Sequence, residues 1–221
     1  MAKQWVWIAV GAVAVGAVAA QCGDTPESGQ APTSSASSRT PSPSAPAPAA
    51  KSTTPKPWYV DYDPAQFAVQ VRKYAGQAGI RPQLLMAILY NESYKPHDPE
   101  LERSWAQIDS DPAFGIANMH RPAFDDTKRG RAFAKRKWEE LPDDPALAIQ
   151  AAAWHLHDLA RRLPSTLTGQ LTKDELLALG YNAGGGNMRK FARGVKPGPQ
   201  AQSYLDRLRS NWDKSGEAVG T

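Results

Sequence analysis

Leu84-Leu85-Met86-Ala87-Ile88-Leu89-Tyr90-Asn91-Glu92-Ser93 is the most uniformly apolar run in the globular part of this chain. It is built almost wholly of core residues, and Pro82 stands just ahead of it, where a first helical turn tolerates proline. The pattern predicts a helix from Pro82 to Glu92. Leu85, Ile88 and Glu92 recur at the i, i+3, i+7 spacing of one helical face, so a carboxylate in the last turn shares the stripe that should be buried. An acid on a buried face with no basic neighbour in sequence is costly unless it has a partner or a task. Two readings stay open at this point. Glu92 either lies just past the buried face and caps the turn in solvent, or it is a perturbed carboxylate of a functional site.

Upstream, Asp63-Pro64 has a cap-plus-proline helix start, and Phe67, Ala68, Val71, Ala75 and Ala78 keep helical spacing as far as Gly79. Downstream, residues 93–111 read as an irregular polar stretch with Pro96, His97, Asp98 and Pro99, and with Asp109 and Asp111 near its end. Ala113 to His120 is small and apolar, broken by Gly115 and Asn118, and reads as a buried turn or short strands. Lys128, Arg129, Arg131, Lys135, Arg136 and Lys137 form a basic run interrupted by Phe133, read as a solvated helix face in preference to a patch for an anionic polymer. Asp144-Pro145 repeats the helix start and opens a wide apolar face through Leu159. His155 and His157, two apart, point to different sides of that helix and do not make a metal pair. Thr172 and Glu175 form a capping box opening a helix through Ala183, which Gly184-Gly185-Gly186 should end. No strand precedes the glycines and no Gly-Lys-Ser/Thr follows, which excludes a phosphate loop. Ala201, Tyr204, Leu205, Leu208 and Trp212 give a last amphipathic helix. The domain is expected to be all-α or mostly α, from residue 58 to 213, with 214–221 a flexible tail.

Composition sets the surroundings. The 221 residues leave room for one domain plus appendages, and a hydrophobic fraction of 41% with 7 tryptophans suits a globular core. A net charge of +4 and a pI near 9.2 are compatible with bacterial wall, membrane surface or nucleic acid without selecting among them. One cysteine excludes an intrachain disulfide and a zinc cluster. Lys3 followed by the apolar run Trp5 to Ala20 makes residues 1–22 a signal peptide or signal anchor, with cleavage before Gln21 or lipidation at Cys22 as variants. The chain after it is expected to be exported. Residues 23–57 are Ser, Thr, Ala and Pro with few large apolar side chains, the composition of a disordered tether. Extended, it would reach on the order of 100 Å.

Three segments resemble, in order and spacing, the lytic transglycosylase domain of the soluble-transglycosylase and goose-lysozyme group, glycoside hydrolase family 23. Glu92-Ser93 at the end of a hydrophobic helix matches the family's Glu-Ser. Gly115-Ile116-Ala117-Asn118-Met119 is similar to its Gly-Leu-Met-Gln turn, with Ala for Met and Asn for Gln. Gly180-Tyr181-Asn182-Ala183-Gly184 is similar to its Ala-Tyr-Asn-Ala-Gly, with glycine in the first place. The resemblance implies a lysozyme-like helical fold with a glycan cleft, and cleavage of the β-1,4 bond between N-acetylmuramic acid and N-acetylglucosamine in peptidoglycan. It implies Glu92 as the catalytic acid/base, Tyr181 as a tyrosine whose hydroxyl is held near that carboxylate, and Asn118 in the place of a substrate-facing glutamine. Ser93, Gly115, Met119 and Asn182 come with it as supporting or substrate-binding positions. It implies no cofactor and no metal. Glycan strands are the expected partner, with the membrane a second one if the leader is uncleaved; no nucleic acid is expected, and the domain should be a monomer.

Splitting a glycosidic bond needs a protonated acid at the leaving oxygen, and burial at a helix C-terminus favours that form. Glu92 could then take the proton of the muramic C6 hydroxyl, closing a 1,6-anhydro ring with neither water nor a second carboxylate. A hydrolytic muramidase is the rival. It needs a second carboxylate, for which Asp109 and Asp111 are the candidates, though Asp-Ser-Asp-Pro is also an ordinary turn sequence. A non-catalytic wall-binding module is the third reading.

Overall fold

The computed structural model describes residues 62–94 and 96–221, and their fold is the mostly helical one expected: eight α-helices and one two-stranded hairpin. The leader at 1–22 and the tether at 23–57 lie outside the described residues. Asp63 accepts a hydrogen bond from the Ala65 amide and opens a 3-10 turn, Pro64–Phe67, which runs into α1, Ala68–Ala78. Gly79 ends α1 in the left-handed conformation, φ 66°, so that its N–H can reach back to the last carbonyls. After it, α2 spans Pro82–Glu92, with the bounds the sequence predicts.

Every residue from Leu84 to Glu92 is buried. The helix is apolar nearly all round, and such a helix is stable only when surrounded. Leu84, Leu85, Met86, Ile88 and Leu89 are fully buried. At about 2 kcal/mol each they contribute roughly 10 kcal/mol before entropy, enough to hold one acid in an unfavourable place.

The stretch expected to be irregular contains α3, Pro99–Trp105. Asp98 caps it, its Oδ1 accepting from the amides of Glu100 at 2.9 Å and Leu101 at 3.1 Å. The helix forms because Asp98-Pro99 carries the same start signal as Asp63-Pro64. Residues 113–120 form the hairpin of β1, Ala113–Phe114, and β2, Met119–His120, with Phe114 opposite Met119. Trp138 pins it, stacking on Phe114 with ring centroids 3.9 Å apart and donating its indole N–H to the Met119 carbonyl at 2.7 Å.

Helix α4, Arg121–Lys128, stops where the basic run begins. The run is therefore turns rather than a helix face. Phe133 is buried in it, and four of its cations meet acids: Lys128 with Asp125, Arg129 with Asp126, Arg131 with Asp158 on the next long helix, and Arg136 with Glu140 and Asp144. Helix α5, Pro145–Arg161, starts at the Asp144 cap and crosses the core.

The capping box at Thr172 opens α6, Lys173–Ala192, but the triple glycine does not end it. Gly184 leaves the helical path, φ 83° and ψ 154°, and the helix resumes to Ala192. Glycine at 180 has a packing reason, because a Cβ there would meet the Met188 sulfur at 2.7 Å. Helix α7 is Pro199–Ser210, and α8 is Trp212–Val219. Trp212 thus opens α8 rather than closing α7, and residues 214–221, expected as a flexible tail, pack onto the core. Ser215, Gly216 and Val219 are buried, and Lys214 Nζ sits 3.6 Å from the centroid of the Tyr90 ring. Asn91 joins the three helices: its Nδ2 donates to the Tyr204 carbonyl at 3.0 Å and its Oδ1 accepts from Asn211 Nδ2 at 3.0 Å.

Candidate active site

Glu92 is the last residue of α2 and is 7% exposed. The buried reading of its face is the one the structure shows. Its Oε1 accepts from the Tyr204 hydroxyl at 2.9 Å and its Oε2 from Asn118 Nδ2 at 3.1 Å. The same Nδ2 donates to the Glu92 backbone carbonyl at 3.0 Å. A carbonyl only accepts, so this contact fixes which way the Asn118 amide faces. Its Oδ1 is left buried, without a hydrogen-bond partner among the described residues.

Asn118 also has φ 45°, the one positive value at a non-glycine position among the described residues. Asparagine tolerates that region better than most residues, and the strain is spent where it turns the amide onto Glu92. The turn before it is held from behind. Gly115 has φ 71°, and a Cβ there would lie 2.7 Å from the Leu141 carbonyl oxygen. The backbone N–H of Asn118 closes the turn, donating to the Gly115 carbonyl at 2.9 Å.

Tyr181 meets the hairpin, with the charge of Glu92 acting on its hydroxyl. Its hydroxyl donates to the Ala117 carbonyl at 2.7 Å, fixing the hairpin, while Tyr204 donates to the carboxylate. Burial first, and then the charge of Glu92, push both phenols well above their ordinary range, so both stay protonated donors at any working pH. The same two causes raise Tyr62, whose hydroxyl donates to the Ile116 carbonyl at 3.4 Å. Sequence reasoning placed Tyr204 on a buried stripe but gave it no role. The available signal was that a buried tyrosine hydroxyl needs a partner.

The other expected positions serve the frame. Ser93 donates its hydroxyl back to the Tyr90 carbonyl at 2.9 Å, closing the end of α2. Met119 is buried and offers its carbonyl to Trp138. Asn182 is half-buried beside Tyr181, and its side chain makes no hydrogen bond among the described residues.

Asp109 is exposed and accepts from the Asp111 amide at 3.0 Å, the turn-forming role its sequence suggests. Asp111 pairs with His120 at 3.1 Å at the foot of the hairpin. A buried carboxylate that the sequence did not mark is Glu102, on α3, with His97 Nδ1 at 2.7 Å from Oε1 and the Gly115 amide at 2.7 Å from Oε2. His155 and His157 point apart as expected. His157 Nδ1 donates to the Ala78 carbonyl at 2.8 Å. His155 packs edge-on against Tyr181, and burial depresses its imidazole to about 4, with the nearby Asp158 opposing. A neutral imidazole results.

A nearly buried carboxylate held by two neutral donors at a helix C-terminus can give and take a proton with little reorganisation. A family model described as the transglycosylase SLT domain matches residues 70–204. That span runs from α1 to Tyr204 and takes in Glu92, the hairpin and Tyr181. No curated protein matches the chain.

Proposed function

Since the chain belongs to the SLT transglycosylase family, whose domain acts as a peptidoglycan lytic transglycosylase, we propose that Glu92 is its single acid/base and that cleavage is non-hydrolytic. Glu92 starts as the neutral acid, a form favoured by burial and by the negative end of α2. It gives its proton to the glycosidic oxygen leaving as the N-acetylglucosamine 4-hydroxyl. The bond from that oxygen to C1 of N-acetylmuramic acid breaks. As Glu92 becomes a carboxylate, Tyr204 and Asn118 donate to the oxygens on which charge develops. The carboxylate then takes the proton of the C6 hydroxyl, O6 closes onto C1, and the acid is restored. No water enters, and the product ends in a 1,6-anhydro ring. Help from the substrate's own N-acetyl group at C1 fits the same site, since it needs no protein nucleophile.

The geometry of Glu92 carries this reading: a buried carboxylate at a helix end, each oxygen accepting from a neutral donor. The hydrolytic alternative needs a second carboxylate to hold water; Asp109 accepts from a turn amide, Asp111 pairs with His120, and Glu102 is buried against His97 and Gly115. Export, with residues 1–22 as leader or anchor, and a monomeric domain facing the wall belong to the same proposal.

The test is Glu92→Gln, an isosteric amide that cannot shuttle the proton. Glycan cleavage should fall more than a hundredfold with an unchanged circular dichroism spectrum. A folded Glu92→Gln protein that cleaves as fast as the parent refutes the assignment. A parent domain that binds glycan and releases nothing leaves the wall-binding reading.

A further inference from the structure

Glu102 has no part in that proton relay, and its burial asks for a reason. It is 6% exposed, and removing a carboxylate from water is costly unless its partners are well placed. They are two. His97 Nδ1 lies 2.7 Å from one oxygen, with both side chains under 5% exposed, and the Gly115 amide donates to the other at 2.7 Å. The second ring nitrogen of His97 faces the backbone carbonyl of Glu92 at 3.4 Å. Both His97 ring nitrogens thus look at oxygen atoms.

The contacts form a closed circuit. It runs from the Glu92 carbonyl to His97, on to Glu102 and the Gly115 amide, through the turn to Asn118, and back to the Glu92 carbonyl and carboxylate. Leu141 backs the turn at Gly115. Glu102 holds it on the other side.

We infer that Glu102, acting through His97 and Gly115, is a positioning residue that sets the distance between the catalytic glutamate and the hairpin carrying its Asn118 donor. The inference rests on the proposed role of Glu92. Glu102 touches neither substrate nor the reacting carboxylate. Its loss should therefore appear in kcat rather than in KM, since small misplacements of catalytic groups cost rate more than binding.

The experiment compares Glu102→Leu and Glu102→Gln with the parent domain on a soluble uncrosslinked glycan oligomer, below the melting temperature of each. Glutamine can remake both contacts, its carbonyl accepting from Gly115 and its amide donating to His97 Nδ1. Expected are a 10- to 100-fold fall in kcat for Glu102→Leu with KM within threefold, and recovery of most of that loss in Glu102→Gln. A folded Glu102→Leu with kcat within threefold of the parent overturns the inference, as does a Glu102→Gln that loses as much as the leucine variant. Should Glu102→Leu not fold, Glu102→Asp decides in its place. Its shorter arm cannot span both partners, so a fivefold or larger loss of kcat supports the inference and parental kcat overturns it. A parent that cleaves nothing removes the functional premise instead, and that outcome is read before either variant is made.

Discussion

Tyr204→Phe isolates the donor on Glu92. The substitution keeps the ring, which is 2% exposed, and leaves the Tyr204 backbone carbonyl to accept from Asn91. It removes one hydrogen bond of 2.9 Å to Glu92 Oε1. Hydrogen bonds to a charged group contribute about 1.5–3 kcal/mol, and each 1.36 kcal/mol is tenfold in rate, so kcat should fall about 10- to 150-fold. The loss falls on kcat because the bond strengthens as Glu92 gives up its proton. Stability should change by only about 1 kcal/mol. A donor to the carboxylate favours its charged form, and removing it favours the acid, so the alkaline limb of the pH–rate profile should move to higher pH. The assay is release of soluble fragments from purified peptidoglycan across pH, with thermal melts alongside. Tyr204→Phe within twofold of the parent at every pH would refute the claim that this hydroxyl stabilises the ionising acid.

Asn118→Gly and Asn118→Ala both remove the amide, but only alanine meets a penalty of about 1 kcal/mol or more at φ 45°. Both should lose at least tenfold in kcat while their melting temperatures differ, and an active glycine variant would show that the amide does not matter. His155 sets an acid limit on stability. Its folded value near 4 lies below the ordinary 6.5, so the unfolded chain binds the extra proton and stability falls as pH drops from about 6.5 to 4. The full effect is on the order of 3 kcal/mol, and a melt series in which His155→Gln leaves the slope over that window unchanged would contradict it. The Asp109→Asn, Asp111→Asn double variant should keep kcat within threefold, whereas a loss beyond tenfold would move the mechanism toward water activation.

The parts of this fold that are local in sequence are legible in it. Pro82 and Glu92 bound α2, Gly79 stops α1, and the Thr172–Glu175 box opens α6, because caps and periodicity act within a turn or two. Asp98-Pro99 was equally readable, and α3 follows from it. The path after Gly184 was not, since what continues α6 is Met188 packing against Gly180 across the break. The site divides in the same way. The shared stripe of Leu85, Ile88 and Glu92 announces a buried acid. Its hydroxyl partner, however, is 112 residues away on a helix whose pattern says only that Tyr204 is inside. The likeness to the family's Tyr-Asn-Ala-Gly motif points to Tyr181, whose hydroxyl holds the hairpin and feels the charge of Glu92. Nothing near Glu102 or His97 in sequence shows that they meet, because their pairing is set by where α3 and the hairpin turn pack.

Whether Glu92 works alone is read from the glycan ends that the parent domain makes in isotopically labelled water, by mass spectrometry. The muramic ends should be in the 1,6-anhydro form, lighter than reducing ends by one water and carrying no label. Labelled reducing ends would contradict this and put a second carboxylate in the mechanism.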